Sequence, residues 1–264
     1  MTEVFSFHKG DSPLLVSIPH DGRELMPGQA ERMTAAGRRL PDTDWHVRRL
    51  YEFATGLGAS VIAANYSRYV VDLNRSADDA ALYDGQVSTG LCPRRTFAGD
   101  DIYVSGETVS SSEVARRVEQ YWRPYHDRLN TALVELRDQF GHALLWDAHS
   151  IPAEVPLLFE GVLPDLNIGS NDGRSCASEI AKAVVDAAGS SAYSWVINGR
   201  FRGGYITRHY GDPDGGVHAI QLELAQRAYM DERSLDFDAG RASALVETVQ
   251  TMLAGFLAAA KRWA

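Results

Sequence analysis

Short apolar runs that end abruptly at polar groups are the dominant pattern along this chain. Residues 143–146 (ALLW) form such a run, and Asp147 and His149 follow it directly. A continuous apolar run bounded by turn residues is typical of a strand buried on both faces of a parallel sheet. Since residues two apart in an extended segment point to the same face, we expect Asp147 and His149 to project together. Open α/β sheets bind their ligands at the edge that this strand end would reach.

Further segments of the same character predict more strands. They span residues 14–18, 59–64, 69–73, 193–197 and 217–224. Polar residues stand where two of these segments end: His20 follows the first, and Asn74 and Arg75 follow the third. Glu223 lies within the last segment, on a strand that is otherwise mostly apolar. We therefore expect these side chains to converge on one edge of the sheet, as an α/β active site requires.

Helical periodicity and turn residues fill the intervals between the strands. Helices are predicted over residues 26–40, 45–56, 110–140, 175–188 and 238–264, and Pro124 interrupts the third of them. Residues 76–108 and 151–173 are rich in turn-forming residues and are predicted as ordered loops. The alternation of strands and helices predicts an α/β protein. No repeat or linker divides the chain, so we expect one domain over residues 1–264.

Composition excludes several classes of partner. A chain of 264 residues with 45% hydrophobic content supplies a sizeable core. Its formal net charge of -9 argues against nucleic acid, because phosphate binding needs a basic surface. The N-terminal residues show no cleavable leader, and no unbroken apolar run approaches the roughly 18 residues that span a bilayer. We expect a cytoplasmic protein that acts on a small molecule. Cys92 and Cys176 do not suggest a disulfide framework.

The polar groups at the strand ends favour a metal site. Neutral imidazole and carboxylate are good zinc ligands, and a catalytic zinc keeps three protein ligands and one position for water. His20 and His149 supply two ligands for Zn²⁺ or another divalent ion. The third is either Glu24, four residues after His20, or Asp44, just before the next predicted helix. Sequence spacing does not separate these two.

Glu223 calls for a partner or a chemical role, because an unpaired buried carboxylate is costly. As a general base it would accept a proton from metal-activated water. The alternative is a structural ion pair with an arginine from residues 200–208. Arginines that follow strands are also suited to binding substrate carboxylates through paired hydrogen bonds, and this chain has them at Arg75, Arg200, Arg202 and Arg208.

Six stretches of the sequence carry a resemblance to a known family. They are SIPHDG (17–22), DTDWHVRRLYEFA (42–54), RYVVDLNRSADD (68–79), LWDAHSIPAEVP (145–156), NGRFRGGYITRHYG (198–211) and HAIQLELAQRAYMDE (218–232). On these motifs the chain resembles the N-formylglutamate amidohydrolases over nearly its whole length. That family is in turn distantly similar to zinc carboxypeptidases and aspartoacylases. The resemblance implies a three-layer α/β/α fold with a central mixed, mostly parallel sheet.

The resemblance also implies roles for individual residues. His20 and His149 match the metal histidines, Asn74 and Arg75 match a carboxylate-binding pair, and Glu223 matches the general base. Carboxypeptidases take their third ligand from a His-x-x-Glu spacing, but here Arg23 stands at that position. Asp44, within the motif Asp-Thr-Asp-Trp-His, is therefore the preferred third ligand.

The implied reaction is hydrolysis of the formamide of N-formyl-L-glutamate to formate and L-glutamate by metal-activated water. Glu223 and Arg75 are the expected catalytic residues. The expected substrate-binding residues are Asn74, Arg75, Arg202, Tyr205, Arg208 and His209. Two alternatives stay open: a related zinc hydrolase that acts on another N-acyl amino acid or a cell-wall peptide, and a non-catalytic protein that binds dicarboxylates on the same scaffold.

Overall fold

A seven-stranded sheet forms the centre of the protein. The computed structural model describes residues 2–80 and 89–261. The strands are β1 (Phe5–His8), β2 (Leu14–Ile18), β3 (Ser60–Ala64), β4 (Ala143–Ile151), β5 (Leu166–Gly169), β6 (Trp195–Ile197) and β7 (Val217–Ala225). Their order across the sheet is β1-β3-β2-β4-β7-β5-β6. Strands β3, β2, β4 and β7 run parallel, whereas β1 and β5 are antiparallel to their neighbours β3 and β7.

Helices cover both faces of this sheet. They are α1 (Ala35–Arg38), α2 (Val47–Leu50), α3 (Ser111–Arg117), α4 (Arg123–Phe140), α5 (Ser178–Gly189), α6 (Tyr205–Tyr210) and α7 (Ala239–Ala260). On one face α5 and α7 pack with Leu144 and Trp146 of β4, and on the other α4 packs with Leu145. The expected fold class, a mixed and mostly parallel sheet between helical layers, is confirmed.

The two central strands explain the apolar runs of the sequence. All nine residues of β4 and all nine of β7 are buried. Successive side chains enter opposite helical layers, so neither face of these strands can be polar along most of its length. The strand β4 continues through Asp147 and His149 to Ile151, five residues beyond the predicted apolar run of 143–146.

Several predicted elements differ from the structure. Residues 26–40 form only a 3₁₀ turn (Ala30–Arg32) and the four-residue α1 instead of one helix. Residues 151–173, predicted as a loop, contain the strand β5, and the helix α6 lies within residues 198–211, for which the pattern predicts no element. Within the predicted loop 76–108, residues 76–80 and 89–108 contain no helix or named strand, and residues 81–88 lie outside the described residues.

Residues 69–73 are buried turns, although their apolar pattern predicts a strand. The buried guanidinium of Arg117 donates hydrogen bonds to the carbonyl oxygens of Tyr69 (3.1 Å) and Val70 (2.9 Å). A side chain therefore satisfies backbone groups that a sheet ladder would otherwise have to pair.

The predicted interruption at Pro124 is a π-helical turn over Val118–Trp122, which joins α3 to α4. Proline has no N–H to donate and its ring crowds the carbonyl one turn earlier, so the turn before it widens.

The helix α7 has the length and composition of a membrane span, and it is the one such helix among residues 2–80 and 89–261. Arg241 and Glu247 lie within it, so it is not an unbroken apolar run. Its residues Leu245, Met252 and Phe256 are buried in the core cluster that covers the sheet.

Replacing Arg117 by Met should lower the free energy of unfolding by about 3–5 kcal/mol, because two buried carbonyl groups lose their donor and Glu113 loses one of its two cations, the other being Arg32. Urea unfolding measures this. The matched control is Arg123→Met, since Arg123 forms the same i,i+4 pair with Glu119 on the exposed side of the same helical stretch. The control should change stability little. Equal losses in the two variants would contradict the structural role of Arg117.

Candidate metal centre and active site

The sheet turns polar on the α4 face at the ends of its central strands. Along β4, Leu145 packs against the helical layer, and Asp147 and His149 follow on the same face. Along β7, Gln221 and Glu223 follow Ala219 in the same way, and Glu223 stands opposite His149 in the register. The apolar layer thus ends in a row of buried polar groups at the edge where the parallel strands end.

Three of these groups form a compact set of metal-ligand atoms. His20 follows β2, Asp44 precedes α2 and His149 lies on β4, and one ligand atom of each lies within 4.8 Å of the others. All three side chains are buried, with at most 3% exposed. The carboxylate of Asp44 is fixed by the backbone N–H of Ser150, which donates to Oδ2 at 3.1 Å. This is the one such cluster among the described residues.

Both imidazoles present Nδ1 to the centre of the cluster. The Nδ1 atoms of His149 and His20 lie 2.9 Å and 3.8 Å from Oδ2 of Asp44. Their Nε2 atoms point away, to Asp147 (3.1 Å) and Asp72 (2.8 Å) respectively. The carboxylate of Asp72 fixes the Nε2–H tautomer of His20 and leaves its Nδ1 for a metal. Nδ1 of His20 has no hydrogen-bond partner within the described residues.

The charges around the cluster favour a cation. The carboxylates of Asp44, Asp72, Asp147 and Glu223 are all buried there. Burial raises the pKa of Glu223 to about 8. Burial alone would lower the pKa of His149, but Asp147 and Asp44 raise it well above its usual value. The buried carboxylates thus stabilise positive charge in this cluster, which is the property that a metal site needs.

Arg68 supplies positive charge behind the cluster. Its side chain is 11% exposed, and the guanidinium donates to Oδ2 of Asp72 at 2.7 Å and lies 3.7 Å from Oδ1 of Asp44. Together with His20 it lowers the pKa of Asp72 well below its usual value, against the opposing effect of burial. The guanidinium also lies over the ring of Phe97, 4.9 Å from its centroid. The sequence interpretation did not identify Arg68, because nothing local separates it from a surface arginine.

Asn74 connects the cluster to α6. Its Nδ2 lies 3.3 Å from Oδ2 of Asp147 and 2.9 Å from Nε2 of His149, and its Oδ1 accepts the backbone N–H of Ile206 at 2.8 Å. The Asn74 amide thus donates to Asp147 and to Nε2 of His149. Gly204 lies so close that an added Cβ would meet the Asn74 amide at 2.3 Å. Glycine is therefore required where α6 begins.

Gln221 links the same segment to Glu223. Its Oε1 accepts the backbone N–H of Gly204 at 2.6 Å, and its Nε2 donates to Oε2 of Glu223 at 3.4 Å. No ion pair joins Glu223 to an arginine among residues 2–80 and 89–261. Glu223 stands opposite His149 in the register of β4 and β7.

The remaining predicted binding residues lie next to Asn74, within α6 or shortly before it. Arg75 follows Asn74 and is half-buried. The side chain of Arg202 is 49% exposed, and its Nη1 lies 3.4 Å from Oδ2 of Asp172. Arg208 donates to the carbonyl of Gly203 at 2.7 Å, and Tyr205 stacks on His209 with ring centroids 4.8 Å apart.

Comparison with known proteins agrees with this architecture. A model of the N-formylglutamate amidohydrolase family matches residues 12–230. The chain belongs to this family. It is 52% identical over 233 residues to an N-formylglutamate deformylase of Pseudomonas putida, covering 88% of this chain and 87% of that protein. It is 48% identical over 260 residues to an N-formylglutamate deformylase of Pseudomonas aeruginosa PAO1, covering 98% and 97%. The family resemblance of the sequence is thus confirmed.

A solved structure shows the same fold. The crystal structure of N-formylglutamate amidohydrolase from Ralstonia eutropha JMP134 superimposes with a TM-score of 0.82. It covers 96% of this chain and 98% of its own, at 24% identity. At that identity the likeness concerns the fold alone.

For this member of the family, the structure places Asp44 in the cluster and Glu24 outside it. Glu24 is exposed, and its backbone forms a bridge with Tyr66. Asp44→Ala should therefore weaken zinc binding by about 10- to 100-fold or more, since even partners behind a ligand contribute that much. Titration against a competing chelator measures it. Glu24→Ala is the control and should bind as the wild type does; the reverse order would move the third ligand to Glu24.

Proposed function

We propose that this protein hydrolyses the formamide of N-formyl-L-glutamate to formate and L-glutamate, with Zn²⁺ or another divalent ion held by His20, Asp44 and His149. The observation that carries the proposal is the buried His-Asp-His cluster beside Glu223, in a chain of the N-formylglutamate amidohydrolase family. Two related proteins at 48–52% identity are N-formylglutamate deformylases.

The residues fit a divalent ion. Two imidazole nitrogens and one carboxylate oxygen face one another, and Nδ1 of His20 has no hydrogen-bond partner among the described residues. Nitrogen and oxygen donors in this number suit zinc. A metal bound there would lower the pKa of a coordinated water and polarise the substrate carbonyl. Asp72 and Asp147 would keep both imidazoles oriented through their Nε2 atoms.

Glu223 is the group that would move the proton. Its carboxylate lies next to His149 across the strand pair, and Gln221 orients it through one hydrogen bond. Hydrolysis of an amide needs a base that accepts a proton from water and an acid that delivers one to the leaving nitrogen. One buried carboxylate can do both in turn, because its burial keeps the proton from bulk water.

The arginines explain the selectivity for the glutamate derivative in this proposal. N-formylglutamate carries two carboxylates on opposite sides of the carbon that bears the formamide, so a selective site needs two separate cations. Asn74 with Arg75 would hold the carboxylate nearer the formamide, where Arg75 also reaches the reacting group. Arg202 or Arg208 would hold the other, with the stacked rings of Tyr205 and His209 beside it.

Glu223→Gln keeps the shape of the side chain and removes its basicity. We expect kcat for formate release from N-formylglutamate to fall by roughly 10²-fold or more, the usual scale for general acid–base catalysis. KM and zinc content should stay at the wild-type values. Normal turnover in the variant would make Glu223 structural, and a wild-type protein that releases no formate from this substrate would contradict the proposed function itself.

Removing an arginine should alter the choice between N-formylglutamate and N-formylnorvaline, which lacks the side-chain carboxylate. We expect Arg202→Ala or Arg208→Ala to reduce the preference for the glutamate compound by at least about tenfold, and Arg75→Ala to weaken both substrates together. The ratio of kcat/KM values measures this. Arg174→Ala is the control, since Arg174 lies beside the same Asp172 as Arg202 but is 69% exposed. An unchanged ratio in all these variants would exclude the arginines as the source of selectivity.

A further inference from the structure

The π-helical turn directs two side chains toward the Asn74–Arg75 segment. Trp122 is the last residue of that turn, and His126 lies one turn further along, on α4. Both side chains are buried or nearly so, at 9% and 3% exposed. Their rings stack with centroids 3.8 Å apart and an angle of 24° between the planes.

Each ring donates to one backbone carbonyl that flanks Asn74. Nε1 of Trp122 donates to the carbonyl oxygen of Arg75 at 2.9 Å. Nε2 of His126 lies 2.9 Å from the carbonyl oxygen of Leu73. The carbonyls before and after Asn74 are thus both hydrogen-bonded to side chains of the helical layer. These two bonds fix the backbone of the turn and hence the direction in which its side chains project.

The second contact defines the state of His126. Because a carbonyl oxygen only accepts, Nε2 must carry the proton and Nδ1 must be the acceptor. The hydroxyl of Tyr210, 2.9 Å from Nδ1, is then the donor. Burial lowers the pKa of His126 to about 3, so the ring stays neutral and this direction of donation is kept at neutral pH.

Tyr210 is the last residue of α6, whose first turn binds Asn74. The backbone N–H of Tyr205 also donates to the Asn74 carbonyl at 3.3 Å, and the Tyr205 ring lies 5.8 Å from that of Trp122. Trp122 and His126 therefore contact both segments that carry the arginines assigned to the substrate carboxylates.

We propose that Trp122 and His126 are positioning residues for substrate binding: they fix the Leu73–Arg75 turn relative to α6 and so set the separation of the two carboxylate-binding arginine groups. This inference rests on the proposed function. Neither ring contacts the metal-ligand cluster within the described residues. Their effect on the substrate should therefore pass through Arg75 and α6. We expect substitution of either ring to change KM more than kcat.

The test is Trp122→Phe, which keeps a stacked ring on His126 and removes the donor to Arg75. We expect KM for N-formylglutamate to rise by about tenfold, the scale of one buried hydrogen bond, with kcat changed by less than about threefold. The matched control is Trp146→Phe, because buried Trp146 likewise donates one hydrogen bond, to the hydroxyl of Tyr51 at 2.8 Å, in the opposite core layer. The control should lose a similar free energy of unfolding and keep the wild-type KM.

A second variant covers the case in which Trp122→Phe does not fold. Tyr210→Phe removes only the hydroxyl that donates to His126 and should raise KM in the same direction by a smaller factor. Equal KM values for wild type, Trp122→Phe and Tyr210→Phe would overturn the positioning role, as would a rise in Trp146→Phe equal to that in Trp122→Phe. In each case the wild type still releases formate, which separates this failure from a failure of the proposed function.

Discussion

Four carboxylates buried beside two imidazoles are the constraint around which this protein is built. Asp44, Asp72, Asp147 and Glu223 lie at one edge of the sheet, where removing charge from water is costly unless opposite charge compensates. Arg68 supplies one compensating charge, through Asp72 and Asp44. Two imidazoles face Asp44 with their Nδ1 atoms, and a divalent cation bound among these groups would offset more of this charge than a proton does.

The fold produces that concentration of charge by simple geometry. Parallel strands end at one edge, and side chains two apart share a face, so β4 and β7 deliver polar pairs to the same layer in which they bury apolar residues a few positions earlier. The turn at Asn74 and the start of α6 then close over the row, joined by hydrogen bonds that require a glycine at residue 204. The groups proposed for catalysis and for binding thus share one hydrogen-bonded frame.

Sequence patterns predicted the parts of this site that depend on local order. Buried strands followed by His20 and His149, and the acidic residue on the apolar strand β7, are visible as interruptions in apolar runs. The role of Arg68 depends on partners that folding brings together, and so does the turn structure of residues 69–73, whose carbonyls bond to Arg117. A helix as short as α6 leaves little periodicity to detect, and its amides are satisfied partly by Asn74.

The central claim is that the Nδ1 atoms of His20 and His149, which both face Asp44, bind a metal together with that carboxylate. Nitrogen NMR of the histidine side chains during a zinc titration of metal-free protein tests it most directly. We expect one equivalent of zinc to shift the Nδ1 resonances of His20 and His149 together, while Nε2 of His20 keeps its proton toward Asp72. Binding of zinc through Nε2, or saturation with no change at either ring, would contradict the account.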